Sequence, residues 1–357
     1  MAEYGIGGGL NTFVPTFSAA TGQIQVEFTR SVNRFPITQY AQIVPVQQMS
    51  GYYLRIDEEE TARVVNTQDY QWPLGEDRPT GINNDLEWTQ FFCQRFQSSF
   101  NIPQETARQA QWDVVASHAR IAAAKMMTHR AYRMATILNS TGVSAGSETA
   151  ANPWTTSVNY FANTAALVGS SATLDSGTDS VQKIVRAAIE KIVQNTVGVV
   201  GPQDIIMIVN PTTARKMATT EGVRDYIKNT PHALNFLKGD ATFAAYGLPQ
   251  NLFGLGGVVV DDTVRVSTRK GGANTRGFFY AGSANDKFSM VFVSRPGGLV
   301  GNEGPSFSTA TVFAYDDMTV ETLEDPWNRR VRGSVVDNSA TVLTAPLSGL
   351  HLLDANA

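Results

Sequence analysis

Between residues 104 and 139 the chain runs without a single glycine or proline, in a segment rich in Ala, Met, Arg and Gln. These residues favour helix, Pro103 sits where a first-turn proline is tolerated, and the stretch from Asn139 to Gly142 supplies a stop. The run therefore predicts one helix over 104–139, about 54 Å long at about 1.5 Å per residue. That is longer than most globular helices. Val114, Ile121 and the residues from Ala124 to Leu138 give it an apolar stripe. Arg108, Arg120, Lys125, Arg130 and Arg133 outnumber Glu105 and Asp113, so the other face is basic. Such a face is either solvated or lies against acidic neighbours or nucleic acid.

At 357 residues the chain exceeds what one compact core usually organises, which implies two domains with extended arms. Its 42% hydrophobic content is ample for folding. A formal net charge of −4 excludes a strongly basic, polyanion-coating protein but leaves room for local basic patches. The lone cysteine, Cys93, excludes a disulfide framework within the chain and a zinc site built on several thiolates. No run of about 18 apolar residues is present to span a membrane, and MAEYGIGGGLNTFVP lacks the basic and apolar regions of a secretory signal. A soluble protein of a reducing compartment is expected.

Residues 1–44 are rich in Gly, Thr, Ser and Asn. The alternation in QIQVEFT fits one short strand, and nothing else there is expected to close a core. The segment reads as an arm that becomes ordered by lying on something else. Within 45–80, YYLRI and TARVV flank the acidic run Asp57, Glu58, Glu59 and Glu60, which predicts a long two-stranded hairpin with a charged tip. Arg55 and Arg63 stand on its two strands, and Trp72 lies in its turn-rich outer part, DYQWPLGEDRPTG. A projecting hairpin has little stability of its own and must lean on a partner.

Residues 140–178 read as a domain-joining excursion anchored by Trp154, Tyr160, Phe161 and Leu167. Val181, Ile184, Val185, Ala188, Ile189, Ile192 and Val193 then follow helical spacing, with Asp179 and Gln182 suited to a capping box and Gly198 to the end. DIIMIVN is a buried strand, broken by Asn210-Pro211-Thr212, which starts the helix TTARKMATTEGVRDYI. Strands follow at GVVVDD, RGFFYAG, FSMVFVS, Ser308 to Leu323, and twice within VRGSVVDNSATVLTAPLSGLHLL. These last strands have no obvious partners near them in sequence and are expected to return to the long helix.

The residues that carry chemistry do not assemble into a site. His118 and His129 share a helix face but lie roughly 16 Å apart, too far to chelate one ion. His232 and His351 read as structural or surface histidines. Asp261-Asp262 and Asp316-Asp317 look like metal-site pairs, yet neighbours on a strand point to opposite faces, so strand-end solvation is the expectation. GIGGGL at 5–10 follows no strand, and GLGG at 254–257 opens no helix, so neither meets the order a phosphate loop needs. Cys93, in WTQFFCQRF, is expected to pack as a small apolar residue. No catalytic, cofactor-binding or metal-ligating residue is assigned, and no cofactor is expected.

The segment DSVQKIVRAAIEKI with VGPQDIIMIVNPTTARKM resembles the helix, strand, Asn-Pro and helix of tailed-phage major capsid proteins of the Hong Kong 97-like fold. LFGLGGVVVDD and FSMVFVSRPGG are similar to the strands that follow there, and DPWNRRVRGSVVDNSATVLTAPLSGLHLL to the closing strands. The resemblance implies an α+β chain with an N-arm over 1–44 and an extended loop over 45–80. A peripheral domain over 81–150 would contain the spine helix 104–139, an axial domain would follow over 151–300, and 301–357 would return to the peripheral sheet. It implies a structural protein, not an enzyme: a capsid subunit that assembles with itself, as hexamers and pentamers, into an icosahedral shell enclosing double-stranded DNA without sequence-specific binding. Arg55, Asp57, Glu58, Glu59, Glu60, Arg63 and Trp72 become candidate subunit-interface residues. A separate scaffolding protein, a portal and a possible decoration protein are the expected partners, with no membrane; the virion is the expected location, after assembly in the host cytoplasm. Some members join subunits through a lysine in the extended loop; 45–80 contains no lysine to do so. An encapsulin-like protein compartment shares the fold and is the alternative, followed by an α/β enzyme with a spatially assembled site.

Overall fold

Two separate β-sheets are joined through one long helix. The computed structural model describes residues 29–56, 86–110, 113–139, 154–169, 180–228, 243–249, 251–269, 272, 276–281, 288–295 and 308–355. In chain order, α1 (Ile37–Tyr40) and β1 (Gln42–Pro45) precede the ribbon strands β2 (Ser50–Ile56) and β3 (Leu86–Phe92). Next come β4 (Gln94–Pro103), α2 (Gln104–Gln109), α3 (Val114–Asn139), β5 (Tyr160–Asn163), α4 (Thr164–Val168) and α5 (Ser180–Asn195). β6 (Ile205–Val209), α6 (Pro211–Thr219), α7 (Glu221–Lys228), β7 (Phe243–Ala244), β8 (Leu248–Pro249) and β9 (Gly257–Val260) follow. The chain ends with β10 (Val264–Val266), β11 (Arg276–Phe278), β12 (Met290–Ser294), β13 (Ala310–Asp325), β14 (Arg330–Leu343) and β15 (Leu350–Asp354).

The first sheet has the order β1-β13-β14-β4. β14 pairs antiparallel with both β13 and β4, and β1 pairs parallel with β13. The register of β13 slips between Ala314 and Asp316 and again between Asp316 and Thr319, because it carries two residues more than the stretch of β14 it faces. Met318, at φ +54°, takes up part of the excess. Extra residues of this kind bend a strand and re-aim its side chains. Here Asp317 reaches the helix that lies across the sheet. On β14, Gly333 stands directly opposite Phe100, whose ring would clash with an added Cβ, so the glycine gives that ring its place.

That helix is α3, and it corrects the single rod over 104–139. Ala110 leaves α2 in an extended conformation, ψ 136°. The Asp113 carboxylate then accepts a hydrogen bond from the Ala116 amide at 2.9 Å and starts a new helix. An aspartate that caps one helix competes with continuing the previous one. α3 has 26 residues, or about 39 Å at about 1.5 Å per residue. Its first half packs Ala122 and Met126 against Val335, Phe96 and Phe100 of the first sheet. Its second half buries Met127, Ala131, Met134, Ala135 and Leu138 in a core shared with residues of both sheets, while Thr128, Tyr132 and Thr136 stay half-buried. Trp154 Nε1 donates to the last-turn carbonyl of Leu138 at 3.1 Å.

The second sheet has the order β5-β15-β12-β6-β9. Its central strands are apolar on both faces. Met207, Val209, Met290, Phe292, Leu350 and Leu352 meet the apolar side of α5, while Ile208, Val291 and Val293 meet α3. A strand covered on both sides reads as a continuous apolar run, which is what IIMIV and MVFVS are. Asn210 ends β6 and starts α6: its side-chain oxygen accepts from the Thr213 amide at 2.6 Å, with Pro211 at the first helical position. Gly198, at φ +78°, closes α5 by bonding to the Val193 carbonyl. The single helix expected after Asn210 is two, because Thr220 turns extended between α6 and α7. Asp179 lies outside the described residues, so its capping role does too.

Two segment assignments are corrected. The chain's last strand does not rejoin the first sheet: β15 lies between β5 and β12 in the second, parallel to one and antiparallel to the other. Nor is the whole of 1–44 an arm without a core. Phe35, Ile37, Tyr40 and Ala41 are buried, and β1 adds a strand to the first sheet. This stretch straps the two sheets together. Arg295, at the end of β12, donates to the carbonyls of Thr38 (2.9 Å) and Gln39 (2.6 Å). Tyr280 Oη donates to Tyr40 Oη at 2.9 Å, and Tyr40 Oη to the Asp261 carboxylate at 3.3 Å. Asp261 is therefore buried instead of solvated at a strand end, and burial raises its pKa. Its neighbour Asp262 pairs with Arg30 at 2.8 Å. The QIQVEFT strand lies outside the described residues apart from Thr29.

Arg130 of α3 is 1% exposed and bonds to the fully buried Asp337 carboxylate through Nε (3.2 Å) and Nη2 (2.5 Å), with Asp317 at 2.8 Å. Asp316 accepts from Asn338 Nδ2 at 2.5 Å. The second aspartate pair is thus also engaged within the sheet, contrary to the solvated strand end expected. Asp337→Ala leaves the guanidinium buried without its main partner, and unfolding in urea should show a loss of about 3–5 kcal/mol.

His351 is buried on β15, with Nε2 3.1 Å from Ser289 Oγ and, among the described residues, no hydrogen-bond partner for Nδ1. Burial lowers its pKa to about 4, against a smaller opposing influence from Asp354. The unfolded chain therefore binds this proton more readily, and stability falls as pH drops from about 6.5 toward 4. The loss amounts to about 3 kcal/mol. Urea titrations across that window should show the slope, and His351→Gln should flatten it by one proton.

Candidate assembly surface

Leu86–Phe92 is the partner of Ser50–Ile56, in a register running from Ser50 opposite Phe92 to Ile56 opposite Leu86. Among the described residues the partner of YYLRI is therefore LEWTQFF instead of the nearer TARVV, which lies outside them together with the acidic run. The ribbon continues the chain into β4 and ends beyond the 45–80 boundary.

Register divides the ribbon into two faces, since directly opposed residues share a side. One face carries Gly51, Tyr53 and Phe91. An added Cβ at Gly51 would come within 2.8 Å of the Phe91 ring, so the glycine gives that ring its place. Phe91 stacks on Phe313 at 4.3 Å and Tyr53 stacks on Phe313 at 5.8 Å. Cys93, just after the ribbon, is fully buried with Phe91, Phe313, Ala340 and Val342, and its Sγ lies 3.5 Å from the Phe313 carbonyl. Burial raises its thiol pKa, so it packs as the small apolar residue expected.

The opposite face carries Tyr52, Leu54, Trp88 and Phe92, with Leu54 directly across from Trp88. These four side chains are between 43% and 64% exposed. Apolar surface gathered in this way marks an interaction site. Fully burying each such side chain contributes about 1.5–3 kcal/mol. The ribbon root is glued to the first sheet on one side and presents a ready apolar surface on the other.

A second exposed apolar group sits where β13 and β14 run out past their bulges. Val320 and Leu323 are exposed on β13, and Trp327, at the connecting turn, is 96% exposed. Asp325 fixes that turn by accepting from the Asn328 amide at 3.3 Å and its Nδ2 at 2.7 Å, with Arg332 at 3.1 Å. These hydrogen bonds, and Arg332 beside them, hold the Asp325 carboxyl below its ordinary pKa.

Of the residues expected at an interface, the structure places Arg55 on β2, in register with Glu87. Asp57, Glu58, Glu59, Glu60, Arg63 and Trp72 lie outside the described residues, as does His232. His118 bonds through Nδ1 to the Val114 carbonyl at 2.9 Å, and His129 packs against the Phe96 ring at 4.7 Å. Among the described residues no group of three or more His, Cys, Asp or Glu is placed to hold a metal ion, and no helix is long and apolar enough to cross a membrane. The exposed row Tyr52, Leu54, Trp88 and Phe92 escaped the sequence reading. Its signal is the matched alternation of GYYLRI and LEWTQFF, hidden by pairing the first segment with a nearer partner.

No protein-family model matches the chain, and no curated protein matches it in sequence. Solved structures share its fold over nearly the whole length. A phage-related protein from Bordetella bronchiseptica superposes with a TM-score of 0.59 at 15% identity, covering 91% of this chain and 93% of that one. The capsid of the cyanophage P-SCSP1u gives 0.53 at 12% identity, covering 97% and 94%. The mature capsid of bacteriophage PhiM1 gives 0.53 at 10% identity, covering 99% and 90%. The chain has the Hong Kong 97-like fold of phage capsid proteins.

Proposed function

We propose that this chain is the major capsid subunit of a phage, a structural protein without catalytic activity that assembles as hexamers and pentamers into an icosahedral head around double-stranded DNA. The observation that carries the reading is the apolar outer face of the β2–β3 ribbon, exposed on a subunit whose fold is that of phage capsids. A single chain gains nothing from displaying Tyr52, Leu54, Trp88 and Phe92, whereas repeated copies bury them at every equivalent contact. The acidic run 57–60 and its neighbours Arg63 and Trp72 extend the same ribbon in sequence and belong to the same contact in this reading. Shell strength is noncovalent, since 45–80 has no lysine to form a crosslink. A scaffolding protein, a portal and a decoration protein are the partners such a subunit calls for. The virion is its place, reached by assembly in the host cytoplasm.

Purified protein, alone or with its scaffolding partner, should sediment as capsomers or closed shells visible in negative stain. A chain that stays monomeric under every condition, scaffold included, overturns the reading. Tyr52→Ser combined with Trp88→Ser should change subunit stability by no more than about 0.5 kcal/mol while sharply lowering shell yield.

One exposed ion pair contributes about 0–1 kcal/mol, so the acidic run acts only through repetition around the shell. Glu58→Lys, Glu59→Lys and Glu60→Lys together should leave circular dichroism unchanged and reduce closure. Yield equal to wild type would mean that the run is a solvated turn.

A further inference from the structure

The whole chain is net −4, yet residues 50–92 hold nine carboxylates and three arginines, net −6, so the rest of the molecule is positive. The opposite bias is concentrated in 263–285, which has Arg265, Arg269, Lys270 and Arg276 and no carboxylate. The carboxylate just before it, Asp262, is taken by Arg30 at 2.8 Å. Within this basic stretch β10 and β11 form a second two-stranded ribbon, with Val264 opposite Phe278, Arg265 opposite Gly277 and Val266 opposite Arg276. Register again divides it into two faces, and their polarity is the reverse of an ordinary surface ribbon. Arg265 turns toward the protein and lays its guanidinium 3.9 Å above the ring of Tyr132 on α3, where Phe279 packs on the same tyrosine at 5.9 Å. Val264, Val266 and Phe278 stand on the other face and are exposed, with Arg276 among them.

We infer that this outer face of β10–β11 is the dock for the β2–β3 ribbon of a second copy of the chain. The assignment rests on the reading of that ribbon as a contact between copies and names what receives it. Tyr52, Leu54, Trp88 and Phe92 on the one side and Val264, Val266 and Phe278 on the other supply the apolar centre. The net negative charge of 50–92 and the net positive charge of 263–285 supply a complementary rim. The contact joins two chains, because the described parts of the two ribbons lie on opposite sides of the first sheet. Phe91 packs on the sheet face that carries Phe313, Ala340 and Val342, whereas α3, with β10–β11 against its Tyr132, covers the face that carries Asp337 and Ser339. Each copy offers both surfaces, so the contact is head-to-tail and closes into a ring when the rotation between copies allows. The exposed apolar group around Trp327 is the weaker dock, since three carboxylates balance three arginines within 320–332 and leave no charge to draw the ribbon.

The test is cross-linking between full-length chains. One chain carries Leu54→Cys, and another, lengthened by a tag, carries Val266→Cys; both positions are exposed. They are mixed in equal amounts, treated with a short bismaleimide and resolved on a denaturing gel. Cys93 is buried, so the chain with no added thiol is the blank. Mixed 54–266 dimers should outnumber dimers of either chain with itself. Arg269→Glu with Arg276→Glu, at two exposed sites of the tagged chain, should leave circular dichroism unchanged and lower the mixed yield at least about tenfold, because like charges then face each other. Mixed dimers no more abundant than like ones overturn the proposal, as does a yield that the charge reversal leaves unchanged. Cross-linking of Leu54→Cys to Val320→Cys in place of Val266→Cys also overturns it, since the Trp327 turn would then be the dock. Shell formation by the wild type is followed separately by sedimentation. Closed shells without the 54–266 link overturn this proposal and leave the capsid reading standing. The link without closed shells supports the proposal and counts against the capsid reading alone.

Discussion

The buried pairing of Arg130 with Asp337 holds the long helix to the sheet it crosses, and much of the architecture is arranged around it. A guanidinium with 1% exposure is tolerable only with a bidentate, hydrogen-bonded partner, and Asp337 supplies one. The pair fixes both the position of α3 along β14 and its rotation, because the planar fork meets a carboxylate in few orientations. Asp317 joins it only because β13 is two residues too long for β14 and bulges at that level. Arg133, one turn further, bonds to Ser339 and lies over the Phe96 ring at 4.2 Å, so the same helix face is tied to β4 as well. Apolar packing alone would let an Ala- and Met-rich helix slide; the two arginines set its register.

With α3 fixed, the second sheet has somewhere to pack. Its strands are apolar on both sides because α5 covers one face and the second half of α3 the other. The chain crosses between the sheets more than once, through the strap at residues 35–45 and through β15. Tyr40, Tyr280 and Asp261 form a fully buried polar chain at one crossing, and Arg295 caps the carbonyls of α1 at the same seam. Polar groups in such a place hold orientation, since each has a partner only when the two sheets meet in one arrangement.

The surface divides as the core does. Glu321, Glu324 and Asp325 stand on the part of β13 that runs past β1, where among the described residues one edge has no strand beside it, and charge there discourages edge-to-edge pairing. Apolar side chains emerge on the outer ribbon face and at the Trp327 turn. A net charge near zero conceals this separation, which becomes visible only when exposure is assigned residue by residue.

Local signals fixed many elements without help from the fold. The 3.6-residue spacing of Val181 to Val193 made α5. Asn210-Pro211 made the break between β6 and α6, because a side-chain cap and a missing amide act within four residues. The apolar runs IIMIV and MVFVS were strands wherever they packed. The sequence also indicated a subunit lacking a catalytic constellation and resembling a capsid protein, from the order of its segments. What it left undecided was every choice among distant partners. Whether YYLRI pairs with TARVV or with LEWTQFF, whether the last strand joins the first sheet or the second, and whether Asp261 meets water or Tyr40 depend on contacts between residues far apart in the chain. The helix break at Ala110 belongs to the same class: a segment of good helix formers has no local reason to stop, and Asp113 starts a new helix where the first sheet and α3 need a new direction. Hydrophobic pattern sets which side of an element is buried; only the assembled chain sets what buries it.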